Sequence, residues 1–539
     1  MNKVLRAIGA ALIAVARPVR TDGVRARSPW VLLLGLLTIL SWQAGISKSS
    51  VHREETYRVT ASTGVHDESR FFFFLYHLGI YPLLTTTPVR NESRAEAERI
   101  LREHPRSLYM DKFVTFRSGD RGRVFLYYPD VWFGQRRPSA PSLRPMHVAV
   151  WVFGLCSIFT AAWWLRRALF GGLLVALFGS NPMQLSAVYF EENIFCWPIA
   201  SLALVLALNA VLLPGKAPRR PWHPFALALS TGVLLALIRT VRSEAAVLMA
   251  SAALLYVTLP IRWWRRGALV LTMLVTFSSV GALCTRYFIS SSAHAATVVR
   301  RVGGVPYTGP IESYHEVWHP IWCGLGDFDT TYGYAWSDFT AYTYALPVLE
   351  RRAGRRLNLD PTRAPQVISY DGQGYYPIFF FETPGYHDVI REKVLRDIRE
   401  TPFWYAKILI KRTLRILEET TPVQFVVGSR KVMSLKSDWL GPFALLVLAH
   451  LLLTRRWGAA KLLLFSVPLS INPFLIYSGG GLTYYSCFHI VALAIAMAIA
   501  ARFAAQWLTK LGHLLCPPSP ITSAPIAAAS GKVSTPSEA

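Results

Sequence analysis

The chain has 539 residues, of which 52% are hydrophobic, 13% aromatic and only 17% charged, with a mean hydropathy of +0.31. That composition excludes an ordinary soluble domain, because the apolar residues fall in runs close to the ~20 residues that cross hydrocarbon. The net charge of +25 would suit a nucleic-acid partner, but many basic residues sit in short links between apolar runs, where membrane topology accounts for them and no nucleic acid is needed.

Residues 1–29 open with an amphipathic stretch, Val4 to Arg17, followed by Arg20, Arg25 and Arg27. This lead is too long and basic for a cleaved signal peptide, so it reads as a cytoplasmic N-terminus ahead of an uncleaved anchor. The first span is expected at 30–46. Six more follow within 146–287, at about 146–165, 168–179, 193–213, 224–238, 245–259 and 268–287, and three within 439–505, at about 439–453, 462–477 and 484–505. The links expected on the cytoplasmic side hold Arg166, Arg167, Lys216, Arg219, Arg220, Arg262, Arg265, Arg266, Arg455, Arg456 and Lys461, with no Asp or Glu among them. Spans drawn from hydropathy alone rarely satisfy the positive-inside rule at each turn, so both termini are expected in the cytoplasm. The fold class is an all-α polytopic membrane protein of about ten transmembrane helices with two large mixed α/β periplasmic loops.

Those two loops, 47–145 and 288–438, are too long to be simple connections. In the first, a helix is expected at 92–103, then a β-hairpin from Tyr109–Phe116 through the Ser118-Gly119-Asp120 turn to Val124–Tyr128. In the second, charged amphipathic helices are expected at Tyr386–Glu400, stopped by Pro402, and at Phe403–Glu419. Residues 506–539 form a cytoplasmic tail whose Pro/Ser/Ala-rich part, from about 517, has no core pattern and reads as disordered. No internal repeat is visible.

The chemistry-bearing residues cluster on the face opposite the basic links. Asp67 and Glu68 stand in His66-Asp67-Glu68-Ser69-Arg70, just before Phe71 to Phe74. A carboxylate there can take a proton from an attacking hydroxyl or hold a divalent cation such as Mg or Mn. The plainer reading is a solvated pair balanced by Arg70 and Arg53. Glu191 and Glu192 lie between two short apolar segments, where paired carboxylates are costly and usually mark a site; an exposed turn is the alternative. Arg239, Arg242 and Glu244 break the positive-inside pattern between the fifth and sixth spans. Two arginines three apart share a helix face and suit a phosphate, or else a salt bridge to Glu244 or to Glu191.

Asp327 and Asp329, in Gly324-Leu325-Gly326-Asp327-Phe328-Asp329 with Trp318, Trp322, Tyr332 and Tyr334 nearby, would suit a sugar-facing surface or an ordinary structured loop. The six cysteines mostly lie in or beside apolar runs; Cys323 alone is well inside a large loop, which gives neither a disulfide framework nor a CxxC metal site. His66, His77, His294, His315, His319 and His387 show no HExxH or comparable metal spacing, and the identity of any metal ligand is left unassigned.

An acidic motif after the first span, further acids on the same face and a large late external loop together resemble the GT-C superfamily of membrane glycosyltransferases, including the protein mannosyltransferase-like members. Asp67-Glu68 is similar to the first acidic motif of that superfamily and Glu191-Glu192 to a second, while Pro402-Phe403-Trp404-Tyr405 and Lys411-Arg412 are similar to its segment returning to the membrane. Asp67 lies further from the first span than is usual, and no WWDYG-like signature is present. The resemblance implies a bacterial inner-membrane enzyme moving a sugar from a polyprenyl-phosphate carrier to a glycan, lipid or protein acceptor, with membrane lipids around it. Asp67, supported by Glu68, would be the general base; Arg239 and Arg242 would offset the leaving phosphate; Glu191 and Glu192 would position the acceptor or a cation. A transporter or flippase of lipid-linked glycans, or a non-catalytic envelope assembly protein, are the competing classes. A transporter would carry mid-helix charge and repeat symmetry, which the spans as drawn lack.

Overall fold

A computed structural model of the protein describes residues 2–21, 122, 125–126, 144–165, 167–181, 184, 196–214, 220–301, 317–357, 366–368, 376–378, 385–418, 423–427, 430–435, 439–475 and 482–515. The expected first span at 30–46, the helix at 92–103, the tail from about 517, and Asp67, Glu68, Glu191 and Glu192 lie outside the described residues.

Apolar runs rich in Leu and Ala form the helices of a bundle: α2 (Arg144–Trp164), α3 (Ala168–Ser180), α4 (Cys196–Leu208), α5 (His223–Val241), α6 (Leu248–Val257) and α7 (Trp263–Arg301). After the second loop come α12 (Leu440–Leu453), α13 (Trp457–Ser466), the single turn α14 (Ile471–Leu475) and α15 (Leu482–Leu515). An amphipathic N-terminal helix, α1 (Asn2–Thr21), packs along α15.

Four of these helices are long and apolar enough to cross a membrane, over Met146–Trp164, His223–Val241, Trp263–Ser291 and Ser486–Leu515. The protein is therefore helical and built for a membrane. Each expected span from the second to the tenth coincides with a helix, but several are short or interrupted. The sixth starts as a 3-10 turn, Ser243–Val247, and the ninth breaks at the 3-10 turn Val467–Ser470, where Pro468 removes a donor. At 1.5 Å per residue the 13-residue α3 and α4 rise only about 20 Å, short of a ~30 Å hydrocarbon layer.

The bundle packs around one contiguous core that runs from Trp151 through Leu177, Val205, Leu235 and Leu255 to Ile495. Phe125 and Leu126, expected in a strand, instead lie in a 3-10 turn. Leu126 is buried in this core and the Phe125 ring makes tilted contacts with Tyr287 and Phe288 of α7; packing of Leu126 into the core outweighs local strand propensity there.

The helix ends sort into two groups. At one end, Lys461 Nζ donates to Thr258 O at 2.9 Å, and the backbone around Leu213 and Pro214 meets Gly458. Basic residues of two expected cytoplasmic links, Arg262, Arg265 and Arg266 in one and Arg455, Arg456 and Lys461 in the other, lie in or beside these turns. At the other end α14 touches the turn at Ser243–Val247, and the first turn of α12 meets the last turn of α11 (Pro402–Glu418). Gly441 is required at that joint, since a Cβ there would sit 2.1 Å from Leu417 O.

A lobe rests on this second end. It contains α8 (Trp318–Gly326), α9 (Asp338–Ala353), α10 (Tyr386–Glu400) and α11, with its own aromatic core of Trp322, Tyr334, Tyr342 and Tyr386. α10 has the bounds its pattern predicts, and its buried positions Tyr386, Val389, Ile390, Lys393, Val394 and Asp397 recur at helical spacing. Two short antiparallel hairpins complete the described part of the second loop: β1 (Gln366–Ile368) with β2 (Tyr376–Ile378), register Val367 opposite Pro377, and β3 (Val423–Val427) with β4 (Arg430–Leu435), register Phe425 opposite Met433 with an irregularity before Val426.

Candidate functional site

The lobe meets the bundle through α11, and the residue at the centre of that joint is Arg412. Its side chain is only 1% exposed. Nη1 donates to Phe474 O on α14 at 3.0 Å, and the guanidinium lies 5.7 Å from the Phe328 ring of the lobe. Nε and Nη2 are buried and make no hydrogen bond. Those two nitrogens form one edge of the guanidinium, the edge that binds two oxygens of a phosphate or carboxylate side by side. Burial pushes the Arg412 guanidinium down from its ordinary range, while Tyr405 and Asp327 pull the other way. An arginine still carries its charge under these conditions, so the joint holds a desolvated cation with a donor edge to spare.

Two neighbours on α11 face the same lobe loop. Lys411 Nζ donates to Phe328 O at 3.3 Å, and Arg415 Nη1 donates to Asp327 Oδ2 at 2.5 Å with its guanidinium 5.5 Å from the Phe328 ring. Asp327, expected to touch sugar, thus holds the loop onto α11. Asp329 accepts from Thr331 N at 2.8 Å, and the bonds from Thr331 hold its carboxyl below the usual carboxylate range. The loop is tight against its helix: a Cβ on Gly326 would lie 2.3 Å from the backbone of Ala335. Of the two readings of this stretch, the structured loop matches these contacts.

Arg239 and Arg242 do not share a helix face as expected. α5 ends at Val241, and Arg242 is its C-cap in extended backbone, φ −148° and ψ 113°. Arg242 pairs with Glu244, both side chains about one-fifth exposed. Arg239 is exposed, with its guanidinium 5.3 Å from the Phe277 ring of α7. The three-residue spacing failed because the chain leaves the helix one residue too early. Their turn nevertheless touches α14, the same turn whose Phe474 carbonyl receives Arg412. Arg242 and Arg412 therefore sit on elements that meet across α14, at the lobe end of the bundle.

Two clusters inside the lobe escaped sequence reasoning. Lys393 and Asp397 are buried at 7% and 4% exposure and pair at 2.7 Å, one helical turn apart on α10. Tyr334 donates to Asp397 Oδ2 at 2.9 Å, and the ammonium lies 4.9 Å from the Tyr334 ring, 5.1 Å from Tyr344 and 5.6 Å from Trp322. Burial and the Asp397 charge push the Tyr334 hydroxyl up. This is a cation held by a carboxylate and aromatic faces, a structural pin for the lobe.

The second cluster is His319, Cys323 and Asp338, the only group of three or more His, Cys, Asp or Glu among the described residues whose ligand atoms lie within 4.8 Å of one another. His319 and Cys323 are four apart on α8, so both point to one face; Asp338 is in the first turn of α9. His319 Nδ1 is 2.7 Å from Tyr386 Oη, and Nε2 is 3.0 Å from Asp338 Oδ1. Cys323 Sγ is 3.9 Å from Nε2 and 3.8 Å from Oδ1. Burial and the nearby Asp338 push the thiol up to about 12, so the Cys323 sulfur is a neutral thiol at pH 7 and no thiolate nucleophile. The carboxylate and the sulfur also lie at the same imidazole nitrogen, unlike a triad, where they occupy opposite ones. An HxxxC reading at helical spacing would have drawn attention to this pair.

No family model, curated protein or solved structure matches the chain.

Proposed function

We propose that the protein is a membrane glycosyltransferase that takes a sugar from a polyprenyl-phosphate carrier at the lobe end of its bundle. The observation that carries this reading is Arg412: a buried guanidinium with a bidentate donor edge, at the junction of the membrane bundle and the lobe. A carrier phosphate lies at the membrane surface with its lipid in the bilayer and its sugar outside, which matches a cation set where bundle and lobe meet. As the glycosidic bond breaks, charge grows on the phosphate, and Arg412 offsets it, with Arg242 nearby across α14.

In this reading the chain crosses a bacterial inner membrane about ten times. Both termini are cytoplasmic, and the loops at 47–145 and 288–438 are mixed α/β modules in the periplasm. The gathering of basic links at the end away from the lobe supports that orientation. Asp67, with Glu68, deprotonates the acceptor hydroxyl; Glu191 and Glu192 position the acceptor or a divalent cation such as Mg or Mn. The acceptor is a periplasmic or lipid-linked glycan, lipid or protein.

The test is transfer by the purified protein in lipid nanodiscs, given labelled polyprenyl-phosphate-linked sugars and envelope acceptors. The wild type transfers label, and Asp67→Asn and Glu191→Gln each reduce the rate by at least about 100-fold, the lower range for loss of an acid–base group. Transfer at the wild-type rate by both variants would remove the assignment. Vectorial movement of the intact lipid-linked sugar without transfer would favour the flippase class instead.

A further inference from the structure

The geometry points to a zinc-type metal site on the lobe, in which His319 Nε2, Cys323 Sγ and Asp338 Oδ1 bind one divalent cation. A tetrahedral zinc with Zn–N and Zn–O of about 2.0–2.1 Å and Zn–S of about 2.3 Å separates its ligand atoms by roughly 3.3–3.6 Å. The observed separations are 3.0, 3.8 and 3.9 Å, so a cation fits between the three atoms with shifts of a few tenths of an ångström.

The donor set decides which cation. Thiolate and imidazole select zinc-like metals over Mg or Mn, which prefer oxygen ligands in octahedral sites. A buried phenol completes the arrangement. Tyr386 Oη lies 2.7 Å from Nδ1, on the opposite ring nitrogen from Sγ and Oδ1; with the cation bound, Nδ1–H would donate to this phenol and leave the Nε2 lone pair to the metal, as metal-bound histidines are held by a second partner. Stacking of the imidazole on Tyr342, with ring centroids 5.7 Å apart, fixes its plane.

His319 and Cys323 are buried while the Asp338 side chain is 66% exposed. The cation therefore sits at the lobe surface, tying the start of α9 to α8, with its carboxylate ligand towards solvent. Binding releases the Cys323 proton to solvent as the thiolate forms. The inference stands on the lobe alone and does not depend on the glycosyltransferase reading.

The experiment uses the full chain purified in detergent, stripped with chelator and titrated with Co²⁺ and then Zn²⁺. One equivalent of Co²⁺ per chain is expected to give intense tetrahedral d–d bands and a thiolate-to-cobalt charge-transfer band, both bleached by Zn²⁺. Cys323→Ser abolishes the charge-transfer band, His319→Ala abolishes tight binding, and Tyr386→Phe weakens Zn²⁺ by roughly 10–100-fold, as loss of a ligand-orienting partner does. Helical circular dichroism, read on each sample, separates loss of binding from loss of fold. The inference is overturned if the folded wild type takes up no stoichiometric Co²⁺ or Zn²⁺. It is equally overturned if Cys323→Ser leaves the spectrum unchanged, or if Mg²⁺ or Mn²⁺ competes at concentrations equal to Zn²⁺.

Discussion

In the bundle, Asn209, Thr231 and Tyr256 bury neutral groups that bond one another across α4, α5 and α6: Asn209 Nδ2 donates to Thr231 Oγ1 at 2.9 Å and Tyr256 Oη to Asn209 Oδ1 at 3.0 Å. In the lobe, Lys393 and Asp397 bury opposite charges instead. Both networks pair the groups they join, but with different chemistry, because their surroundings differ. Lipid-facing helices gain little from hiding charge, and an amide–hydroxyl network joins them at low desolvation cost. The lobe has Tyr334, Tyr344 and Trp322 to surround the ammonium and Tyr334 to donate to the carboxylate, so a charge pair is held there. Charge available for chemistry is thus gathered in the lobe and at its joint with the bundle. At that joint a buried cation, Arg412, keeps a donor edge without a bond.

The comparison breaks most sharply at Asp397. Asp397→Ala leaves Lys393 buried without its carboxylate and is expected to cost about 3–5 kcal/mol, the range for breaking a buried ion pair. The paired substitution Lys393→Met with Asp397→Leu is expected to cost far less. Denaturant unfolding followed by tryptophan fluorescence checks both, and equal losses would show that the pair is not a unit.

Alkaline pH comes next. Burial raises the hydroxyls of Tyr334 and Tyr386 above the ordinary tyrosine value of 10.0. A raised folded pKa contributes stability that is full below the unfolded value and is lost as pH climbs above it towards the folded value. The lobe should therefore lose about 1.4 kcal/mol per tyrosine for each pH unit above about 10. Unfolding midpoints between pH 8 and 11, with tyrosinate absorbance in the native state, measure this; a flat profile would contradict the burial of these phenols.

Gly441→Ala drives a methyl into Leu417 O at the joint of α11 and α12, with an expected loss of about 1–3 kcal/mol for overpacking. Thermal melts in detergent read it out. The smallest effect is expected in the bundle, where Asn209→Leu removes a neutral network at about 1 kcal/mol. If Asn209→Leu proved as damaging as Asp397→Ala, the contrast between the two regions would fail.

Much of the architecture was legible because it rests on local pattern. Tyr386–Glu400 shows its apolar face at helical spacing and stops at Pro402, and the structure returns those bounds. The apolar runs predicted helix positions well but not their lengths. α7 continues to Arg301, past the expected 287, so the helix runs on where the hydropathy has already fallen. The 3-10 turns at Ser243–Val247 and Val467–Ser470 are set by how neighbouring helices pack, which hydropathy does not record. The site divided along the same line. Arg242 was found from its break with the positive-inside rule, but its departure from α5 was not visible. Arg412 entered only through the Lys411-Arg412 resemblance, since its burial depends on Phe474, 62 residues away. The cage around Lys393 joins Tyr334 and Asp397 across 63 residues and left no sequence trace.

The most direct test of the account is the affinity of the purified protein for polyprenyl phosphate in detergent, compared among the wild type, Arg412→Gln at the lobe joint and Arg262→Gln at the opposite end of the bundle. The account predicts a loss of at least about tenfold for Arg412→Gln, equivalent to about 1.4 kcal/mol, and none for Arg262→Gln. Equal affinity in all three proteins would contradict it.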